Sequence, residues 1–202
     1  TTYEGMVKQG LRLYKKFNKV AKNVYIKIPV NPAFDDKPNM DGIRAIKTLS
    51  QKGIPINCTL IFTPEQALLA AKAGANFVSP FAGRIDDYIR LNNKIKFEKT
   101  DYFPREGLIK NNKLLDDNGV ISGIDLVQQI VEIFKAQNIR SEVLAASLRS
   151  PRQMREAALV GADIATMPFS AIQQLLTHYK TQEGMKNFTK DIVPEYTGLI
   201  KK

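Results

Sequence analysis

Lys27 lies in the run Val24-Tyr25-Ile26-Lys27-Ile28-Pro29, where an ammonium between two branched apolar residues is out of keeping with its strand. If the lysine points into an interior, burial disfavours the charged form and frees a neutral amine that can attack a carbonyl carbon. The protonated Schiff base so formed accepts electrons and permits carbon–carbon cleavage beside the former carbonyl. An edge-strand lysine in water, or one paired with a buried carboxylate, fits the same pattern. Asn57 and Thr59 are two residues apart in one apolar run, so they project to one face while Cys58 projects to the other. An amide could bind a substrate hydroxyl there and a threonine could hold a water, or both could be satisfied polar groups at a strand end. Cys58, facing the helices, reads as core rather than nucleophile.

Two further runs bring cations to strand ends. Ser79-Pro80-Phe81-Ala82-Gly83-Arg84 offers a hydroxyl, an aromatic ring and a guanidinium, and Ser147-Leu148-Arg149-Ser150-Pro151-Arg152 offers similar chemistry beside a helix start. Planar guanidiniums suit bidentate phosphate contacts. Solvated or carboxylate-paired arginines are the alternative for each. His178 reads as a surface residue.

The elements that must position these residues alternate in β/α rhythm. Strands are expected over 24–29, 56–62, 76–81, 142–147 and 163–167, with helices over 4–21, 41–49, 65–73, 123–136, 151–160, 169–179 and 184–192. Asp41 is expected to cap the second helix, Pro64 to start the third, and Gly74 and Gly161 to close theirs. From Asp87 to Ser122 the rhythm gives way to a basic, irregular insertion with Lys94, Lys96, Lys99, Arg105, Lys110 and Lys113. A loop of such length is usually functional or disordered. The last stretch, 184–202, reads as a helix and an exposed tail. Five β/α units fit either an open doubly wound sheet or part of an eight-stranded barrel, and both gather chemistry at the C-terminal strand ends. Neither a dinucleotide-binding nor a P-loop glycine motif is present.

The chain has 202 residues, 44% hydrophobic and 25% charged, which predicts a single domain, 1–202. No apolar stretch is long enough to span a membrane, and no secretory signal is visible at its start. One Cys and one His cannot make a disulfide or a dedicated Cys/His zinc site, so a reducing cytoplasm is expected, with no metal and no cofactor. A net charge of +10 favours anionic partners without choosing among them.

Seven segments together resemble the small transaldolase and fructose-6-phosphate aldolase family: Val24-Tyr-Ile-Lys-Ile-Pro-Val30, Asn57-Cys-Thr-Leu-Ile-Phe62, Gln66-Ala67, Ala73-Gly-Ala75, Ser79-Pro-Phe-Ala-Gly-Arg-Ile-Asp86, Ala145-Ala-Ser-Leu-Arg149 and Gly161-Ala-Asp-Ile-Ala-Thr166. The resemblance implies an α/β fold of the class I aldolase type, a (β/α)8 barrel of which this chain holds strands four to eight. The family's first three strands carry an Asp, an Asn and a Glu or Gln, and they precede the segment matched here. The chain is then a fragment, an incomplete gene product, or a partner to another chain that completes it. Lys27 is implied as the Schiff-base lysine and Thr59 as the residue positioning the catalytic water. Asn57, Ser79 and Phe81 are implied beside the dihydroxyacetone unit, with Arg84, Ser147 and Arg149 at the sugar phosphate. Phe81 and Asn57 favour the transaldolase branch over the aldolase branch, which places Tyr at the Phe81 position. The reaction implied moves dihydroxyacetone from sedoheptulose 7-phosphate to glyceraldehyde 3-phosphate, in the pentose phosphate pathway. Sugar phosphates are the implied partners, with no nucleic acid, no membrane and a homo-oligomeric assembly. Fructose-6-phosphate aldolase, or a non-catalytic sugar-phosphate-binding remnant, is the alternative.

Overall fold

The computed structural model describes residues 2–35, 37–191 and 193. The chain opens with α1 (Tyr3–Ala21), capped by the Thr2 side chain and closed at Lys22, whose φ of 53° is left-handed. Then follow β1 (Ile26–Pro29), α2 (Asp41–Gln51), β2 (Ile56–Ile61), α3 (Pro64–Ala73), β3 (Phe77–Pro80) and α4 (Ala82–Asn92). A short hairpin, β4 (Ile109–Lys110) and β5 (Lys113–Leu114), precedes α5 (Gly123–Ala136), β6 (Glu142–Ala145), α6 (Pro151–Leu159), β7 (Ile164–Ala165), α7 (Phe169–Gln174) and α8 (Tyr179–Lys190).

Helix ends follow from local chemistry. Thr63 and Gln66 form a reciprocal capping box ahead of Pro64, and Gly74 closes α3 with φ +107°, where a side chain would meet Ser50. Ser150 caps α6 and Pro151 occupies its first turn. Asp41 differs from expectation: it is the first helical residue, and its carboxylate accepts the Tyr3 N–H at 3.0 Å and binds Arg44, tying α1 to α2. The final helices also differ, because His178 adopts extended backbone and caps α8 by accepting the Lys180 N–H at 3.1 Å. That splits the helix expected over 169–179 and starts the next one earlier. Residues 194–202, expected as an exposed tail, lie outside the described residues.

Five parallel strands form one sheet in the order β1-β2-β3-β6-β7. Its register sets Lys27 beside Asn57, Pro29 beside Thr59 and Asn57 beside Phe77. Ile26, Ile28, Ile56, Cys58, Ile61, Val78 and Val143 face the helices and join Leu49, Ala70 and Ile130 in a single core. An irregularity between Cys58 and Ile61 puts Leu60 at φ 60° and returns Ile61 to the helix side. The opposite face carries Lys27, Asn57, Thr59, Ser79 and Phe81. Among the described residues this sheet is open, with β1 and β7 at its edges.

The insertion begins later than the sequence suggests, since α4 runs through Asn92, and it is held firmly. Arg90, 4% exposed, donates from Nη2 to the carbonyls of Tyr102 at 2.8 Å and Asp101 at 3.3 Å, with its guanidinium about equally close to the Phe97 and Phe103 rings. Phe103, Leu115 and Val120 are buried in the core. Tyr102 donates to Glu156 on α6 at 2.7 Å, and Arg152 binds the same carboxylate. Asn111 and Asn112, both at positive φ, make the hairpin turn.

Candidate active site

Lys27, Asn57, Thr59, Ser79 and Phe81 gather on the open face of the sheet because residues two apart on neighbouring strands share a face. Ser79, almost fully buried, donates its hydroxyl to Oδ1 of Asn57 at 2.6 Å, and Asn57 stands in register with Lys27. The Thr59 hydroxyl is buried and has no hydrogen-bond partner among the described residues. Lys27 itself is exposed, so the burial that the sequence reading asks of it is not supplied by the described residues. The helices cover only the other face. Its Nζ lies 6.0 Å from the centre of the Phe81 ring, and Phe62 meets that ring edge-on at 5.8 Å. Cys58 is core, and burial pushes its thiol up to about 12, which keeps it inert.

Phe81 links this group to the cations. The Arg84 guanidinium lies 5.1 Å from the same ring, is exposed, and makes no ion pair among the described residues. Phe81 also bridges to Ala146, which brings the end of β3 beside Ser147. Ser147 has φ 64°, and its carbonyl sits so close to Gly83 that a Cβ there would come within 2.3 Å of it. Arg149 is carboxylate-paired, one of the alternatives that the sequence left open: Asp87 takes both of its terminal nitrogens, and this pairing holds the guanidinium charged.

Sequence reasoning missed the carboxylates behind the arginines. Asp86, 3% exposed, accepts the Gly123 N–H at 2.7 Å and the Gln153 amide at 3.3 Å, while Gln153 accepts the Arg149 N–H at 2.8 Å. These bonds tie α4, α5 and α6 together beneath the strand ends. The signal was the acidic pair Asp86-Asp87, which begins two residues after Arg84 in a chain otherwise rich in Lys and Arg. A concavity near 650 Å³ lies elsewhere, at the N-terminal ends of β6 and β7 among Lys135, Arg140 and Asp163, and contains none of these residues. No helix among the described residues is long and apolar enough to cross a membrane.

The parallel α/β sheet thus collects a lysine, an amide and two hydroxyls on one face, with two arginines beyond its C-terminal strand ends. Residues 1–197 match the family model Transaldolase/Fructose-6-phosphate aldolase, and the chain belongs to that family. It is 38% identical over 197 residues to a probable transaldolase of Sulfurihydrogenibium sp. (strain YO3AOP1), covering 96% of this chain and 71% of the relative. It is 38% identical over 189 residues to a probable transaldolase of Clostridioides difficile (strain 630), covering 94% of this chain and 68% of the relative. Another, from Anaeromyxobacter sp. (strain K), is 39% identical over 191 residues, 95% of this chain and 68% of its own length.

Proposed function

We propose that the chain carries the catalytic lysine of a transaldolase, moving a dihydroxyacetone unit between sugar phosphates through a Schiff base on Lys27. The observation that carries this reading is the placement of Lys27 in register with Asn57, on the face shared with Thr59, Ser79 and Phe81. In that reading the Lys27 amine adds to the ketose carbonyl and water leaves, giving a protonated imine. Cleavage of the neighbouring carbon–carbon bond sends its electron pair into the imine and releases an aldose. The resulting enamine attacks an acceptor aldehyde, and hydrolysis returns the amine. Thr59 holds the water involved, Asn57 and Ser79 bind substrate hydroxyls, and Arg84, Ser147 and Arg149 receive the phosphate. The open edges at β1 and β7 are where three further strands would close an eight-stranded barrel and bury Lys27.

The test is borohydride reduction in the presence of fructose 6-phosphate, followed by mass spectrometry of the Lys27 peptide. An adduct on Lys27 that disappears in Lys27→Met is the expected result, and an unmodified Lys27 peptide overturns the covalent role. The exposure of Lys27 favours a second reading for this chain by itself, a sugar-phosphate binder without covalent chemistry. Fructose 6-phosphate binding without trapping would select it.

A further inference from the structure

This inference deepens the sugar-phosphate reading above and rests on it. A guanidinium has five N–H donors in a fixed plane, and in Arg149 three of them are committed. Nη1 donates to Oδ1 of Asp87 at 2.7 Å and to the Lys99 carbonyl at 3.1 Å, and Nη2 donates to Oδ2 of Asp87 at 2.5 Å. The remaining two, on Nε and Nη2, lie side by side along one edge and form a second fork of the kind that receives two oxygens of a phosphate. Nε makes no hydrogen bond among the described residues. The Arg149 side chain keeps 18% of its surface, so the group is not sealed from solvent. Gly83 packs against the guanidinium: a Cβ there would come within 3.2 Å of Nε and 3.3 Å of Cζ. The guanidinium therefore borders the first turn of α4, the turn that also carries Arg84.

We propose that Asp87 is a positioning residue that presents the Nε–Nη2 edge of Arg149 to the phosphate of the substrate. Both partners keep only 18% of their side-chain surface, and the bidentate fork fixes how they face one another. Their value lies in geometry. A free arginine samples many rotamers and must be ordered each time an anion binds, whereas the Asp87 fork and the Lys99 carbonyl fix its plane beforehand.

The experiment is calorimetric titration of the chain with inorganic phosphate, comparing wild type, Asp87→Glu, Arg149→Lys and the double variant. Asp87→Glu keeps the negative charge, so repulsion toward phosphate is unchanged, but its extra methylene displaces the carboxylate, so the fork no longer holds the guanidinium in the same plane. Phosphate should bind Asp87→Glu about tenfold more weakly, the cost of ordering one long side chain at binding. In the Arg149→Lys background Asp87→Glu should cost nothing more, because the fork it positions is gone. Equal or tighter binding by Asp87→Glu overturns the proposal, as do full additivity in the double variant and a wild type without phosphate affinity. If Glu disturbs α4, the cycle is run with Asp87→Asn: loss of the negative charge alone would strengthen phosphate binding, so weaker binding by Asp87→Asn still supports positioning and equal or tighter binding overturns it. Trapping on Lys27 with unphosphorylated dihydroxyacetone is read separately, so failure of the Schiff-base reading and failure of this one are distinguishable.

Discussion

The Ser79 hydroxyl and the Asn57 amide oxygen meet at 2.6 Å between β3 and β2, which makes each the orienting partner of the other. With its oxygen occupied by Ser79, the amide keeps its two N–H donors for the open face beside Lys27. Ser79→Ala removes the donor and leaves a carbonyl oxygen without it in a half-buried setting. Stability should fall by about 1–3 kcal/mol, the usual cost of a lost partner, measured by urea unfolding. A change within error would show that solvent already satisfies Asn57.

Lys27→Met should leave stability within about 0.5 kcal/mol of wild type, as substitutions of exposed residues usually do. The lysine is exposed and makes no hydrogen bond or ion pair among the described residues. Unfolding midpoints of the two proteins, measured beside the trapping experiment, separate loss of a nucleophile from loss of the fold. A large drop would mean that Lys27 is a structural residue.

Asp86 makes the stability of the chain depend on pH. Burial pushes its carboxyl up to about 7, outweighing the Gly123 hydrogen bond and the nearby charges of Arg90 and Arg149. A carboxyl raised in the folded state holds its proton more tightly there than in the unfolded chain, whose value is near 3.9. Its contribution is then fully present below about pH 4 and is lost as pH rises through about 7. Relative to Asp86→Asn, wild type should lose stability across that window. Parallel pH profiles for the two proteins would contradict the assignment.

Phe81 presents no hydroxyl near Lys27, so an enamine there has no phenol to help protonate it and waits for an aldehyde. In protein that turns over fructose 6-phosphate, transfer to erythrose 4-phosphate should exceed release of free dihydroxyacetone. Phe81→Tyr should shift that ratio toward release. An unchanged ratio would remove Phe81 from the control of reaction type.

The strands and most helices were legible because their signals are local: β-branched runs, the Thr63–Pro64 helix start, the glycines at 74 and 161, and Ser150 ahead of Pro151. The common face of Asn57 and Thr59 was legible too, since it needs only the two-residue period; that Lys27 and Ser79 join it depends on the register between strands. The partners of Arg149 were not, because Asp87 lies far away in sequence and meets it only through the packing of α4 against the end of β6. Nor was the anchoring of the insertion, where Arg90, Tyr102 and Glu156 come from three separate segments. The exposure of Lys27 escaped as well: strand pattern shows which side chains share a face, and what covers that face depends on elements outside the pattern.

The spatial order of the strands is also their order along the chain, so in vectorial synthesis each strand leaving the ribosome finds its neighbour already made. The growing sheet then offers the newest strand as its docking edge, and no strand needs to insert between two others. One pause interrupts this assembly. After Pro80, β3 must wait until Glu142 emerges for its next partner, and the Arg90-anchored segment is translated in that interval. That segment can fold onto α4 through Arg90 in the interval, but its Tyr102–Glu156 bond must wait for α6, so the insertion is locked down only after β6 has joined the sheet.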